Sequence, residues 1–313
     1  MSLRSRVATR LLFSVAVVYL VISLTFLVVV LTPDSNLKGM LGTAAWSGAS
    51  EAELEQMRST YLAARGRDAP LWERYTGWLV DVTLFRWGVS PTVKEPVTAA
   101  VADAVWRTAA YVVPGTIVAW VAGVAAGLRS ARHRGSVSDR VGRGASYLLL
   151  GLPGFWLAAL AIAYLGPESY REGGLLWTVV IPAGIVAAGL FAGQVSLTRS
   201  RSVDQYGAEY VRFLRAKGLS EGSIDRRVLR NVLVPVLSMT AAELFAVLVL
   251  AAVVVESVLG IRGIGWLAYF AAYENDIPLI LGSTMVLAVV GVGGSLVSDL
   301  ASAWLDPRSR ERE

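Results

Sequence analysis

"RLLFSVAVVYLVISLTFLVVVL", residues 10–31, carries a single charge, Arg10, at its edge. At 1.5 Å of rise per residue, about 20 apolar residues are enough to carry a helix across a ~30 Å hydrocarbon core. The stretch therefore has the length of a membrane crossing. The basic head before it, with Arg4 and Arg6, resembles that of a signal peptide. However, the apolar run Leu11 to Leu31 far exceeds the ~7–15 residues of a signal core, and no A-x-A-type cleavage pattern follows. It is expected to stay attached as a first membrane helix.

Five further windows of similar length and low charge lie downstream, at about 106–128, 145–166, 175–197, 233–255 and 278–304. The third and fourth are separated by "GPESYREGG" (166–174), a Gly/Pro-rich turn. Composition agrees: 55% of the 313 residues are hydrophobic and 17% charged, against ~45–50% apolar in soluble domains. The reading is an all-α integral membrane protein with six transmembrane helices. The expected divisions are a head and first span (1–31), an extracytoplasmic segment between helices 1 and 2 (32–105), a five-helix core (106–304) and a tail (305–313).

Lys and Arg orient it. Basic residues gather in the head, in the 129–144 loop (Arg129, Arg132, Arg134, Arg140, Arg143), in the 199–232 segment and in the tail (Arg308, Arg310, Arg312), whereas the alternate short loops hold Arg171 and Arg262. The positive-inside rule places both termini and the two basic loops in the cytoplasm of a multi-pass cell-membrane protein. The net charge of +5 thus reads as loop charge, not as a nucleic-acid footprint. Within 32–105, Glu51 to Ala64 has the spacing of an amphipathic helix, with Leu54, Met57, Tyr61 and Leu62 near one face and Ser50 as N-cap. No pattern assigns a role to the 39–69 insert.

The chain lacks cysteine and has one histidine, His133, in a polar loop, which excludes disulfides, thiolate metal sites and cysteine nucleophiles. No metal site is expected. No H-E-x-x-H or G-x-S-x-G motif occurs, and none of Lys38, Lys94 and Lys217 lies in a P-loop. The chain is not expected to be an enzyme. Charges within apolar windows mark candidate translocation-path or gating positions: Glu243, Glu256 and Asp299, with Gln194 as a polar companion. Glu256 and Asp299 are expected to snorkel to the interfaces. For Glu243, an interhelical hydrogen bond and a place in a polar pathway stand equal. "GVAAG" (123–127) and "GLFAG" (189–193) are small-xxx-small patterns that allow close helix packing.

The most unusual stretch is "AEYVRFLRAKGLSEGSIDRRVLRNVLVPVLS" (208–238). Around it crowd Arg199, Arg201, Arg212, Arg215, Lys217, Arg226, Arg227 and Arg230. Nothing from Gln205 to Lys217 breaks a helix, Gly218 can turn the chain, Ser220 can cap a second helix, and Asn231 to Pro235 leads into the fifth window. This predicts a helix–glycine–helix hairpin. Its apolar residues Tyr210, Val211, Phe213, Leu214, Leu219, Ile224 and Val228 need either a partner or a lipid surface, and spacing alone does not choose.

"EYVRFLRAKGLS" (209–220) and "RVLRNVLVPVLS" (227–238) resemble the EAA-type cytoplasmic loop of binding-protein-dependent ABC transporter permeases of the dipeptide/oligopeptide/nickel family. The likeness extends to the first span, to "APLWERYTGWLVDVTLFRWGVS" (69–90) with "KEPVTAAVADAVWRTAAYVV" (94–113), to "VVVESVLGIRGIGWL" (253–267) and to "SDLASAWLDPRSR" (298–310). Departures exist: Phe213-Leu214 replaces a small Thr-Ala pair, Arg227 a histidine and Arg262 a proline, and the hairpin is about one residue short.

The resemblance implies a type I ABC importer permease-like fold, with a coupling loop comprising Glu209, Tyr210, Arg212, Phe213, Leu214, Arg215, Ala216, Lys217, Gly218, Arg230, Asn231 and Pro235. In it Arg212, Arg215 and Lys217 would meet acidic or carbonyl groups of an ATP-binding subunit, while Asn231 and Pro235 would fix the return into the membrane. It also implies a second homologous permease, two ATP-binding cassette subunits and an extracytoplasmic solute-binding protein, with ATP and magnesium held by the partners and no cofactor on this chain. Di- or oligopeptides are the expected cargo, and nickel or oligosaccharides the alternatives. An ion-coupled secondary transporter and a non-transporting scaffold are the readings from other classes.

Overall fold

The computed structural model describes residues 3–31, 34–64, 69–166, 168, 170, 173–246 and 252–305. Thirteen α-helices are found among them: α1 (Leu3–Leu31), α2 (Ser35–Trp46), α3 (Glu51–Ala64), α4 (Leu71–Thr83), α5 (Val97–Arg132), α6 (Val137–Leu150), α7 (Gly154–Leu165), α8 (Ile181–Gly207), α9 (Glu209–Ala216), α10 (Glu221–Ala246), α11 (Ala252–Leu259), α12 (Ile264–Tyr273) and α13 (Ile277–Leu305). A π-helical turn, Leu176–Val180, leads into α8. Among the described residues, four continuous stretches are long and apolar enough to cross a membrane: Val7–Val28, Val97–Arg132, Leu176–Gly207 and Ile277–Leu296. Two bent pairs qualify if each is one span.

The first bent pair corrects the window at 145–166. The helix turns by 91° between α6 and α7, where Gly151, Leu152 and Pro153 interrupt it. Pro153 lacks the N–H that would continue the backbone ladder. The second pair is α11 and α12, bent by 83°. The window at 233–255 runs through α10 and into α11, with 247–251 outside the described residues.

The chain forms two compact units. One comprises residues 16–103 and 267–288. There α1 meets α4 through Ser23 and Tyr75, whose hydroxyls lie 2.7 Å apart, and through Phe26, whose ring packs 4.9 Å from that of Trp78. α3 begins with a capping box: the Ser50 N–H donates to the Glu53 carboxylate at 2.8 Å, and the Glu53 N–H to the Ser50 hydroxyl at 3.4 Å. Leu54, Met57, Tyr61 and Leu62 are its half-buried residues, as the spacing predicts. Asp276, fully buried, caps α13 through the Leu279 N–H (3.1 Å) and accepts from the Ser90 hydroxyl.

The other unit comprises 1–15, 104–266 and 289–313. Its backbone-close crossing joins α5 to α8. A Cβ at Gly115 would lie 2.5 Å from the Ala183 carbonyl oxygen, one at Gly123 2.5 Å from Gln194 Cβ, and one at Gly127 2.7 Å from Thr198 Cβ. The "GVAAG" pattern thus works as expected. In "GLFAG", by contrast, Gly189 has nothing within 4 Å of where a Cβ would stand. α5 starts at Val97, nine residues before the apolar window suggests, because Val97, Val101 and Ala104 are themselves buried.

Candidate functional site

The hairpin at 208–238 exists, with one break that the sequence does not announce. α8 ends at Gly207, Ala208 takes an extended conformation (φ −69°, ψ 148°), and α9 restarts at Glu209. The physical reason is packing. Re-aiming α9 buries Val211 and Leu214 against Ile224, Val228, Val232 and Val236 of α10 and Val124 of α5. Tyr210 and Leu219 lie half-buried at the cluster's edge.

α9 closes in a Schellman motif: the Leu219 N–H donates to the Leu214 carbonyl (3.2 Å) and the Gly218 N–H to that of Arg215 (2.9 Å). Gly218 has φ +77°, the left-handed region that glycine enters without penalty. Glu221 opens α10, with the Ser220 carbonyl accepting from the Ser223 N–H at 2.9 Å.

Across this elbow Arg215 grips Glu221 with two hydrogen bonds, Nε to Oε1 at 2.9 Å and Nη2 to Oε2 at 3.2 Å. Arg215, expected to face a partner, is engaged within the hairpin. Its guanidinium holds the Glu221 carboxyl below the usual carboxylate range.

Glu209, Arg212, Phe213, Arg215 and Ala216 of α9, and Lys217 just after it, are all exposed. Phe213 is 58% exposed, and the Lys217 ammonium sits over its ring at 4.4 Å. Of the seven apolar residues singled out from the sequence, Phe213 is the one that the chain leaves uncovered.

Two polar knots brace the hairpin. Asn231 donates to Gln205 Oε1 at 3.2 Å, and the Tyr210 hydroxyl donates to the same oxygen at 3.0 Å. Asn231 thereby ties α10 to the end of α8. Asp225, which the sequence reading passed over, accepts from Arg132 Nη1 and from the Tyr206 hydroxyl, both at 2.6 Å. By sequence Arg132 is one of five basic residues of the 129–144 loop. The available signal was a lone acid among Arg226, Arg227 and Arg230, all three of which are exposed. The side chains of Pro235, Glu243 and Asp299 lie outside the described residues.

Glu256 overturns an expectation. It does not snorkel but is 0% exposed, accepting from the Thr108 hydroxyl (2.6 Å) and the Tyr111 hydroxyl (2.8 Å) of α5 and from the Trp266 N–H (2.8 Å). Thr108 in turn accepts from the Ile264 N–H at 2.8 Å. A burial penalty of several kcal/mol for a lone carboxylate is met by three donors, so the group clamps the 260–263 turn and the start of α12 to α5. Gly263 passes so close that a Cβ would collide with the carboxylate. Gln194 is buried at the α5–α8 crossing.

Known proteins are similar to this chain in sequence. The chain is similar to the metal-staphylopine import system permease protein CntB of Staphylococcus aureus (29% identical, 79% of this chain and 80% of that one). It is also similar to the oligopeptide transport system permease protein AppB of Bacillus subtilis (27%, covering 96% and 97%) and to the dipeptide transport system permease protein DppB of Lactococcus lactis (27%, 93% and 94%). Residues 123–311, which include the hairpin, the Glu256 loop and α13, match the model of one protein family. The chain belongs to that family, the binding-protein-dependent transport system inner membrane components, and is a permease subunit of an ABC importer.

Proposed function

We propose that this chain is the translocation subunit of an importer of di- or oligopeptides, driven by separate ATP-binding subunits that seat on the face of α9 bearing Arg212, Phe213 and Lys217. The observation that carries the reading is Phe213: a large apolar side chain, 58% exposed beneath a cation, on the first helix of a hairpin whose Val211, Leu214, Ile224 and Val228 are buried and whose Tyr210 and Leu219 are half-buried. A surface of that kind suits a groove with an apolar floor and acidic or carbonyl walls.

The charge asymmetry of the loops supports a cytoplasmic hairpin and cytoplasmic termini in the cell membrane. On this reading a second homologous permease completes the pathway, a solute-binding protein delivers cargo outside, and the partners hold ATP and magnesium. Closure of the ATP-binding subunits moves the hairpins and turns the cavity between the permeases outward. Peptide cargo is favoured because the relatives that align over more than nine-tenths of both chains carry oligopeptide and dipeptide names. The staphylococcal relative makes a chelated metal the second reading.

The test is a cross-link and an uptake assay in proteoliposomes that hold the whole complex. Phe213→Cys, the only thiol in an otherwise cysteine-free chain, is expected to cross-link to the ATP-binding subunit. Phe213→Ala with Lys217→Glu should lower ATP-driven uptake of radiolabelled trialanine about tenfold or more, the loss expected when an interface anchor is removed. Uptake of chelated nickel but not trialanine would select the second cargo. Full uptake by the double variant would refute the docking face.

A further inference from the structure

Asp225 lies one turn into α10, where its carboxylate oxygens accept from residues at the ends of two other helices: Arg132, the last residue of α5, and Tyr206, in the last turn of α8. The ion pair spans 93 positions of sequence, and the Tyr206 bond 19. The charges suit their places, with a cation at the C-terminal end of α5 and an anion near the N-terminal end of α10. At 2.6 Å each, both hydrogen bonds are short, as expected when a carboxylate is the acceptor.

Beside this carboxylate the Val211–Ile224–Val228 cluster reaches Val124 of the same α5. One apolar and one ionic link therefore join α5 to the hairpin.

We propose that Asp225 is a positioning residue that makes the hairpin and the end of α5 move as one body, so that a displacement of α9 is delivered to α5 as well as along α10. This rests on the docking reading above. Without Asp225 the hairpin would remain folded on its apolar cluster, Val124 included, but the C-terminal end of α5 would lose its ionic link to α10 and would follow a push on α9 less closely. Asp225 itself touches neither cargo nor nucleotide.

Two spin labels measure this. The chain has no cysteine, so Arg134→Cys, just past α5, and Arg226→Cys, on the exposed side of α10, take labels without background. The full complex is compared nucleotide-free and trapped with ATP and vanadate. In the otherwise unaltered chain the 134–226 distance is expected to be the same in both states. With Asp225→Asn, which retains an acceptor for Tyr206 but loses the charge facing Arg132, trapping should shift or broaden it.

Arg132→Gln should do the same, and the double variant should do no more than either single one, since both remove one link. A distance that changes on trapping in the unaltered chain, or one that stays fixed in Asp225→Asn and Arg132→Gln, overturns the proposal. So do effects of the two variants that add. If Asp225→Asn does not assemble, Arg132→Gln is judged by the same criterion. The Phe213→Cys cross-link, run in parallel, separates the failures: a cross-link with a fixed distance in both variants sinks the strut alone, and no cross-link sinks the docking reading with it.

Discussion

Gly218 needs no side-chain space, since nothing lies within 4 Å of where its Cβ would be; it needs φ +77°. An L-residue there costs about 1–2 kcal/mol, less for asparagine, which enters this region more readily. Gly218→Ala should therefore lower the melting temperature of the detergent-solubilised protein more than Gly218→Asn, and equal melting would deny the backbone argument. The neighbouring Arg215–Glu221 pair predicts a pH response. Arg215 depresses the folded-state carboxyl below its ordinary value of about 4.5, so its contribution is present above that pH and is lost as pH falls through the depressed value. The protection of the Gly218 and Leu219 amides, taken relative to the intrinsic exchange rate at each pH, should fall below about pH 4.5, and Arg215→Gln should abolish that fall. Glu256 belongs to a different regime. Glu256→Ala strands Thr108, Tyr111 and the Trp266 N–H, each worth about 1–3 kcal/mol when buried unpaired, so a large fall in melting temperature is expected. Glu256→Gln, which keeps an acceptor, should be milder.

At the scale of elements, the α5–α8 crossing is set by absent side chains. Gly123→Val would force a Cβ to 2.5 Å from that of Gln194, and overpacking of this kind typically costs about 1–3 kcal/mol. Gly189→Val meets nothing and should melt like the parent; if the two variants behave alike in a thermal scan, the crossing does not rest on Gly123. The first of these glycines was legible in the sequence as part of a spaced pair, but spacing could not say that Gly123 would meet a neighbouring helix within the chain and Gly189 would not. The same limit explains the hairpin. Its turn, its second helix and its mostly buried apolar residues follow from local chemistry, in which Gly218 and the 3.6-residue period speak for themselves. The break at Ala208 has no local signature, because it exists to lay Val211 and Leu214 on α10.

For the molecule as a whole, apolar length was enough to find the four continuous helices of crossing length among the described residues, since hydropathy is a property of composition. It hid the bend at Gly151–Pro153, whose flanks are apolar too. It also gave no sign that Glu256 would be buried, because the donors that shelter the carboxylate lie 145 and 148 residues upstream. The orientation inferred from basic loops gives a direct prediction. Single cysteines at His133 and Phe213 should react with a membrane-impermeant maleimide from the side opposite to one at Trp46, and labelling of all three from one side would refute the topology.

The Glu256 clamp bears on how the protein is made. Thr108 and Tyr111 leave the ribosome long before the carboxylate they will hold, and a glutamate released into lipid without them is unfavourable by about 2.5–3.5 kcal/mol on insertion scales. Biogenesis should therefore keep the second span waiting beside the insertion channel until α11 arrives. A nascent chain carrying Thr108→Val and Tyr111→Phe should then integrate its later segments less efficiently than the parent, although the altered residues have long since been synthesised.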